Sequence, residues 1–359
     1  METADVLKSN SKRVFLDIDD IKDFLKEMES LDETVVFQLS TIKTYVDDGI
    51  SYIEGSQADG TRRKIPLWNF SLDSLEDRSE DNAKGHSKMS EEQILNSMNN
   101  YWGLHGKKLA NARIRGEKLM SLDSPQYATI SQSSLVNSLV DWLDAHHDYS
   151  FKNGYYTHLM TEIAININDP LSVTYQDAWR KAGLPESILN NTNLTLKFRT
   201  NDIAESAATA YIELNVFNTP FILNEPVTII HRKGHGGIES FEDKLSKMDS
   251  TVEDELKGLS NLLGIKLIHP MSAMVTAMKK AGLDKLSLKA CKELEIESGS
   301  VFCPLESAYM VYLQINKILN TFYGSGLSET MKFRILNAAR GLVHEDWTKF
   351  DIPHNTFKK

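Results

Sequence analysis

The stretch "TIIHRKGHGGIESF", residues 228–241, sets His231 and His235 four residues apart around Arg232 and Lys233, with Gly234, Gly236 and Gly237 beside them. An H-x-x-x-H pair binds zinc when a helix aligns both imidazoles and a glutamate next to the first histidine serves as base. Arg232 occupies the glutamate's place here, and the three glycines oppose a helix. The same residues suit an anion better. A glycine-rich turn leaves backbone N–H groups facing outward, two cations add charge, and a helix starting near Ser240 would add the positive end of its dipole. Asp243 follows Ser240 at the spacing of a capping-box-like pair. The glycine and lysine spacing is not that of a nucleotide P-loop, which leaves a phosphate contact without nucleotide specificity, or a solvated strand-to-helix turn.

A second group lies in "YWGLHGKKLANARIRGEKLM", residues 101–120, where five bases, Lys107, Lys108, Arg113, Arg115 and Lys118, face one acid, Glu117, just after Tyr101 and Trp102. Cations that neutralise a phosphate backbone, next to aromatic stacking platforms, are what single-stranded nucleic acid binding requires. The expected phosphate-binding set is therefore Lys107, Lys108, Arg113, Arg115, Lys118, His231, Arg232, Lys233, His235, Gly236 and Gly237. The plainer reading of the first five is a solvated charged face with Trp102 in the core. "TRRK", residues 61–64, is a further basic patch near the N-terminal hairpin.

"VFLDIDDI", residues 14–21, resembles the opening motif of haloacid-dehalogenase-type phosphatases, in which Asp17 would attack phosphorus and Asp19 would act as acid and base near magnesium. The chain departs from that motif at Ile21, where the family has Thr or Val, and it lacks the parallel sheet such a site needs. A helix start with Asp19 or Asp20 in its first turn accounts for the same residues. His146 and His147 follow a helix end, where polar groups meet the last carbonyls. Cys291 and Cys303 read as buried thiols rather than a disulfide or a zinc pair. No Ser-His-Asp elbow, Cys-His nucleophile or carboxylate dyad emerges, so no catalytic residue, metal ligand or cofactor is assigned, and a non-enzymatic role is expected.

The elements that must position these residues follow from periodicity. Ile18, Ile21, Phe24, Leu25 and Met28 fall at helical spacing, and "TVVFQLSTIKTYV" with "GISYIEG" reads as a small antiparallel pair. Residues 71–95 carry seven acids against three bases and read as a linker or exposed loop. "SSLVNSLVDWLDA" predicts a helix capped by Ser133 or Ser134, with Leu135, Leu139, Trp142 and Leu143 on one face. Asn153-Gly154 carries the hairpin signal between two strand-like runs. "YQDAWRKAGLP" reads as a helix closed by Gly183. "LTLKFR", "ATAYIELNVF" and "FILNEPVTIIH" predict a meander, with Pro226 at an edge or bulge. From Ser240 onward the apolar spacing is helical, including Val252 to Leu263, "PMSAMVTAMKKAGL", "LSLKACKELEI", Leu305 to Leu319, and Met331 to Leu342. Strands followed by helices indicate an α+β fold: a central antiparallel sheet, meander plus hairpin, with a helical C-terminal half. The expected divisions are a unit at 1–70, a linker at 71–97, a sheet domain at 98–239, and a helical region at 240–359 packed on the sheet.

With 41% hydrophobic and 25% charged residues the 359-residue chain has globular proportions. It has no apolar run near the roughly 20 residues of a membrane span, and its start lacks the apolar core of a signal peptide. A cytoplasmic protein without a membrane partner is expected. The net charge of −10 argues against a surface that coats nucleic acid everywhere, though not against a local basic groove. "LTLKFRTNDIAESAATAYIELNVF", "PVTIIHRKGHGGIESFEDKL" and "HEDWTKFDIP" together resemble, from Tyr127 to Pro353, an uncharacterised phage- and plasmid-encoded family known only as a domain of unknown function. The resemblance implies a mobile-element setting and transfers no catalytic residue.

Three functions follow as expectations. The first is a phage-type protein that binds single-stranded nucleic acid, as a single-strand binder or a recombination or replication accessory, with homo-oligomerisation lining its few bases along a strand. The second is an interaction factor that inhibits or decoys a host defence or replication protein through an acidic surface. The third is a metal-dependent hydrolase built on His231 and His235.

Overall fold

The computed structural model describes residues 12–79, 88–157, 160–200, 208–229, 237–283, 306–323 and 329–353. The fold is α+β, as the order of strands and helices predicts. Its main sheet is antiparallel throughout and contains β1 (Arg13–Phe15), β8 (Tyr149–Thr157), β9 (Met160–Ile167), β10 (Asn193–Thr200), β11 (Ala208–Val216) and β12 (Thr219–Ile222), paired in that order. A short β13 (Val227–Ile229) also pairs with β11. The run "FILNEPVTIIH" thus breaks into two strands on one partner. Asn224 bridges the break: its carboxamide oxygen accepts from Ile212 N at 2.7 Å, and its nitrogen donates to Glu225 O at 2.9 Å.

One face of this sheet is apolar, because alternate residues of a strand share a face. Ile163, Ile165, Leu196, Phe198, Ala210, Ile212 and Leu214 form its buried floor. The helices over that floor are α1 (Ile18–Ser30), α4 (Gln132–His146), α5 (Val173–Lys181), the short α6 (Glu186–Leu189), α7 (Ile238–Ser246), α8 (Met248–Gly264), α9 (Pro270–Lys280) and α10 (Ala308–Tyr323), with α11 (Glu329–Arg340) beside them. In α1 the apolar stripe buries Ile21, Phe24, Leu25 and Met28, as its spacing predicts. Asp17 caps it by accepting from Asp20 N, and Asp20 pairs with Arg13 at 2.6 Å, so the "DIDD" acids serve a helix start. Ser131, rather than Ser133 or Ser134, caps α4.

A second apolar core lies between residues 35 and 122. It joins β2 (Asp32–Gln38), β6 (Leu109–Arg115) and β7 (Lys118–Asp123) to the hairpin sheet of β3 (Lys43–Asp47), β4 (Ile50–Ser56) and β5 (Arg62–Pro66), under α2 (Leu72–Ser79) and α3 (Glu91–Trp102). This differs from the expected division in two ways. The strand-like run at 34–46 splits between two sheets, and β1 with α1 belongs to the main core rather than to the hairpin unit. Much of the acidic run at 71–95 is also ordered. Leu75 is buried in α2, and Ser90 with Gln93 forms a reciprocal capping box on α3, which buries Leu95. Glu91 and Glu92 suit α3 because they are exposed and lie in its first turn.

The Asn153-Gly154 pair is not the hairpin turn. Strand β8 runs through it, and the pairing register with β9 shifts between Phe151 and Asn153. Glycine stands there for close packing: a Cβ at Gly154 would lie 3.2 Å from Ile21 Cδ1 and 3.3 Å from Glu162 O. A bulge next to a packed helix and a two-residue turn share the same Asn-Gly signal, which explains the misreading.

Candidate functional site

Of the sequence-predicted phosphate set, His231, Arg232, Lys233, His235 and Gly236 lie outside the described residues. Gly237 is the N-cap of α7, which begins at Ile238. Ser240 is therefore inside the helix, and Asp243 pairs with Lys247 at 2.7 Å instead of completing a capping box.

The five bases of residues 107–118 do not share one surface. Lys107 and Lys108 are exposed in the turn before β6. Arg113 is buried, 3.9 Å from Asp123, whose carboxyl burial pushes above its ordinary range against the pull of Arg113. Arg115 is 2% exposed and bidentate to Asp32 at 2.5 and 2.7 Å. It also donates to Tyr156 Oη at 3.1 Å, which ties the second core to the main one. Lys118 lies over the Trp68 ring, 4.4 Å from its centroid. Arg113 and Arg115 are consequently structural cations whose charge is committed to acids. Strand alternation cannot reveal this from sequence, because both faces of β6 are covered. In the "TRRK" patch, Arg62, Arg63 and Lys64 pair with Glu54, Glu33 and Asp47.

A charged cluster does assemble on the main sheet, on the face opposite the apolar floor. Pairing registers align two rows across the strands: Tyr155, Glu162, Arg199 and Thr209, then Asn166, Thr195 and Glu213, with Lys197 and Tyr211 between them. Glu162 binds Arg199 at 2.8 Å and lies 3.9 Å from Lys197, and Tyr155 donates to it at 3.3 Å. Lys152, displaced by the β8 bulge, reaches Thr195 Oγ1 at 3.3 Å, and Asn215 donates to the same hydroxyl at 3.1 Å. Lys12 sits over the Tyr155 ring at 3.7 Å.

Glu213 is the exception in this cluster. It is 8% exposed, and among the described residues no hydrogen bond or ion pair is made by its carboxyl group. Burial pushes its carboxyl up, opposed by the charges of Lys197, Arg199 and Lys152 and reinforced by Glu162. At the β1 edge of the same face, Val14, opposite Tyr155, is 62% exposed. At the β11 side, Phe333 of α11 meets the Tyr211 ring at 5.1 Å. A cleft of about 260 Å³, lined by residues that include Asn166, Asn168, Asp169, Thr192 and Asn193, opens where β9 ends and β10 begins.

Chemically, this face offers cations and an aromatic ring at its rim and a protonatable acid at its floor. Its signal was present in the sequence. The positions between the apolar ones of "MTEIAINI", "NLTLKFRT" and "ATAYIELNV" carry Glu162, Asn166, Thr195, Lys197, Arg199, Tyr211 and Glu213. The apolar half of that alternation gave the strands, and the polar half gives the site.

Away from the sheet face, His147 stands between two carboxylates, with Nδ1 2.5 Å from Asp169 and Nε2 3.1 Å from Asp249, edge-on to Trp142. Burial alone would lower its pKa, but the hydrogen bonds to Asp249 and Asp169 outweigh burial and raise it. Among the described residues no group of three or more His, Cys, Asp or Glu side chains is placed to hold a metal ion, and no helix is long and apolar enough to cross a membrane. In comparisons with known proteins, no family model matches this chain, and no curated protein or solved structure is significantly similar to it.

Proposed function

We propose that this protein binds single-stranded nucleic acid across the charged face of its main sheet, as an accessory in replication or recombination of a phage or similar element. The observation that carries the reading is the gathering of Lys152 and Lys197 with Tyr155 on one sheet face, beside the Arg199–Glu162 pair, in a chain whose net charge is −10. Cations spaced along adjacent strands can track a phosphate backbone. An aromatic ring beside them can stack a base, and an acidic remainder disfavours coating elsewhere. The exposed Val14, paired across from Tyr155, extends the face at the β1 edge, where an unstacked base would lie. The mobile-element setting rests on the resemblance of residues 127–353 to the phage- and plasmid-encoded family.

The test is binding of a fluorescein-labelled oligo(dT) over a salt series, read by anisotropy. Affinity should fall log-linearly with salt, losing about 0.7 in slope for each phosphate contact removed. Lys152→Glu and Lys197→Glu should each flatten the slope and weaken binding. Absence of binding at low salt, or binding indifferent to salt and to both substitutions, would refute the proposal.

A further inference from the structure

We propose that Glu213 contacts the bound strand as a neutral acid, donating its carboxylic O–H to a phosphate oxygen held by Lys152 and Lys197, so that binding takes up a proton. This rests on the sheet-face reading of nucleic acid binding.

The geometry supplies the reasons. Glu213 shares a cross-strand row with Thr195 and Asn166, and Lys197 is two residues along β10 from Thr195, on the same face. The hydroxyl of Thr195 is already engaged by Lys152 and Asn215, and the Glu162 carboxylate by Arg199 and Tyr155. The Glu213 carboxyl group makes no hydrogen bond among the described residues, and its oxygens are not among the fully enclosed unpaired polar atoms, so it keeps a small opening on this face. A ligand oxygen at that opening can take up its hydrogen bond. A charged carboxylate would repel a phosphate at this distance from Lys152 and Lys197, whereas a carboxylic acid donates to it. The charged groups facing Glu213 are Lys152 from β8, Glu162 from β9, and Lys197 and Arg199 from β10. Burial raises its carboxyl above the range of an ordinary glutamate, and Glu162 adds to this, while Lys197, Arg199 and Lys152 pull it down; a phosphate that neutralises the two lysines relieves that pull and favours the neutral form.

Proton uptake and affinity are linked, so the inference is measurable on the full chain. Oligo(dT) is the probe because thymine and the phosphodiesters do not titrate between pH 5.5 and 8. At fixed ionic strength, wild-type affinity should rise as pH falls, approaching about tenfold per pH unit where a full proton is taken up. Calorimetry in two buffers of different ionisation heat should report the same uptake without any substitution. Glu213→Gln, which keeps a hydrogen-bond donor and carries no charge, should bind at pH 8 at least as tightly as wild type and lose most of the pH dependence. Lys152→Met should weaken binding while leaving the pH dependence in place.

Wild-type binding without pH dependence or proton uptake would overturn the role of Glu213 and leave the sheet-face reading standing. So would a Glu213→Gln protein, folded by circular dichroism, that titrates like wild type. No binding by wild type at any pH would overturn the sheet-face reading itself.

Discussion

His147 links three elements through one imidazole: the end of α4, the segment after β9 through Asp169, and the start of α8 through Asp249. Because its folded pKa is raised above the ordinary histidine value, its contribution to stability is fully present below about pH 6.5 and fades as pH rises through the folded value. Urea unfolding should therefore give wild type a larger loss of stability between pH 6 and pH 9 than His147→Gln shows. Equal pH dependence in the two proteins would exclude this role. Arg115 is a second test at the same scale. Arg115→Ala removes a buried guanidinium from Asp32 and the Tyr156 hydroxyl and should cost about 3 kcal/mol in a urea titration. A surface phosphate contact would instead lose binding with stability intact, so the two readouts separate the structural role from the one its sequence context suggests.

Among the elements, α8 shows how closely the C-terminal segments are fitted. A Cβ at Gly258 would come within 2.5 Å of Val343 Cγ1 and 3.2 Å of the His344 ring, in the turn of residues 341–344 that follows α11. Glu255, one turn earlier and 2% exposed, pairs with both Arg340 and His344. Replacing Gly258 by valine would force a β-branched side chain into that contact, and overpacking of this kind should lower stability by about 2–3 kcal/mol. A thermal melt of Gly258→Val that matched wild type would show that the turn can shift freely. The helix itself was legible from its apolar spacing, but the requirement for glycine was not, because it comes from residues about 85 positions away in the chain. Gly154 is the same kind of case: its neighbours Ile21 and Glu162 are brought together only by the sheet.

Over the whole molecule, the question is where an acidic protein concentrates its positive charge. The linear cluster at 107–118 is the most basic stretch by sequence, yet folding divides it between an exposed turn, two buried ion pairs and a ring contact. The main sheet collects its cations from two strands, and Lys152 and Lys197 lie 45 positions apart in the chain. If the sheet face is the binding surface, a Lys107→Glu/Lys108→Glu double substitution should leave oligo(dT) affinity within about threefold of wild type at moderate salt, where distant charges are screened. Lys152→Glu/Lys197→Glu should weaken it far more. The reverse ranking in the anisotropy titration would return the site to the exposed turn.

Periodicity by itself determined the α+β class, the meander, the stripe of α1, the face of α4, and the helices of residues 248–264 and 308–323, because burial of one face imposes a repeat that each segment carries internally. It also determined that Asp17 and its neighbours open a helix. Tertiary structure alone decided three other matters: that the strand-like run at 34–46 serves two sheets, that Asn153-Gly154 continues β8 beside a bulge and against α1, and that Arg113 and Arg115 are committed inside. The charged sheet face stands between these cases. Its residues alternate visibly along three strands, but only pairing register lines them up into rows across the sheet and leaves Glu213 buried among Lys152, Lys197 and Arg199. Charge in a sequence is local, whereas the company a charge keeps is set by contacts between segments distant in the chain.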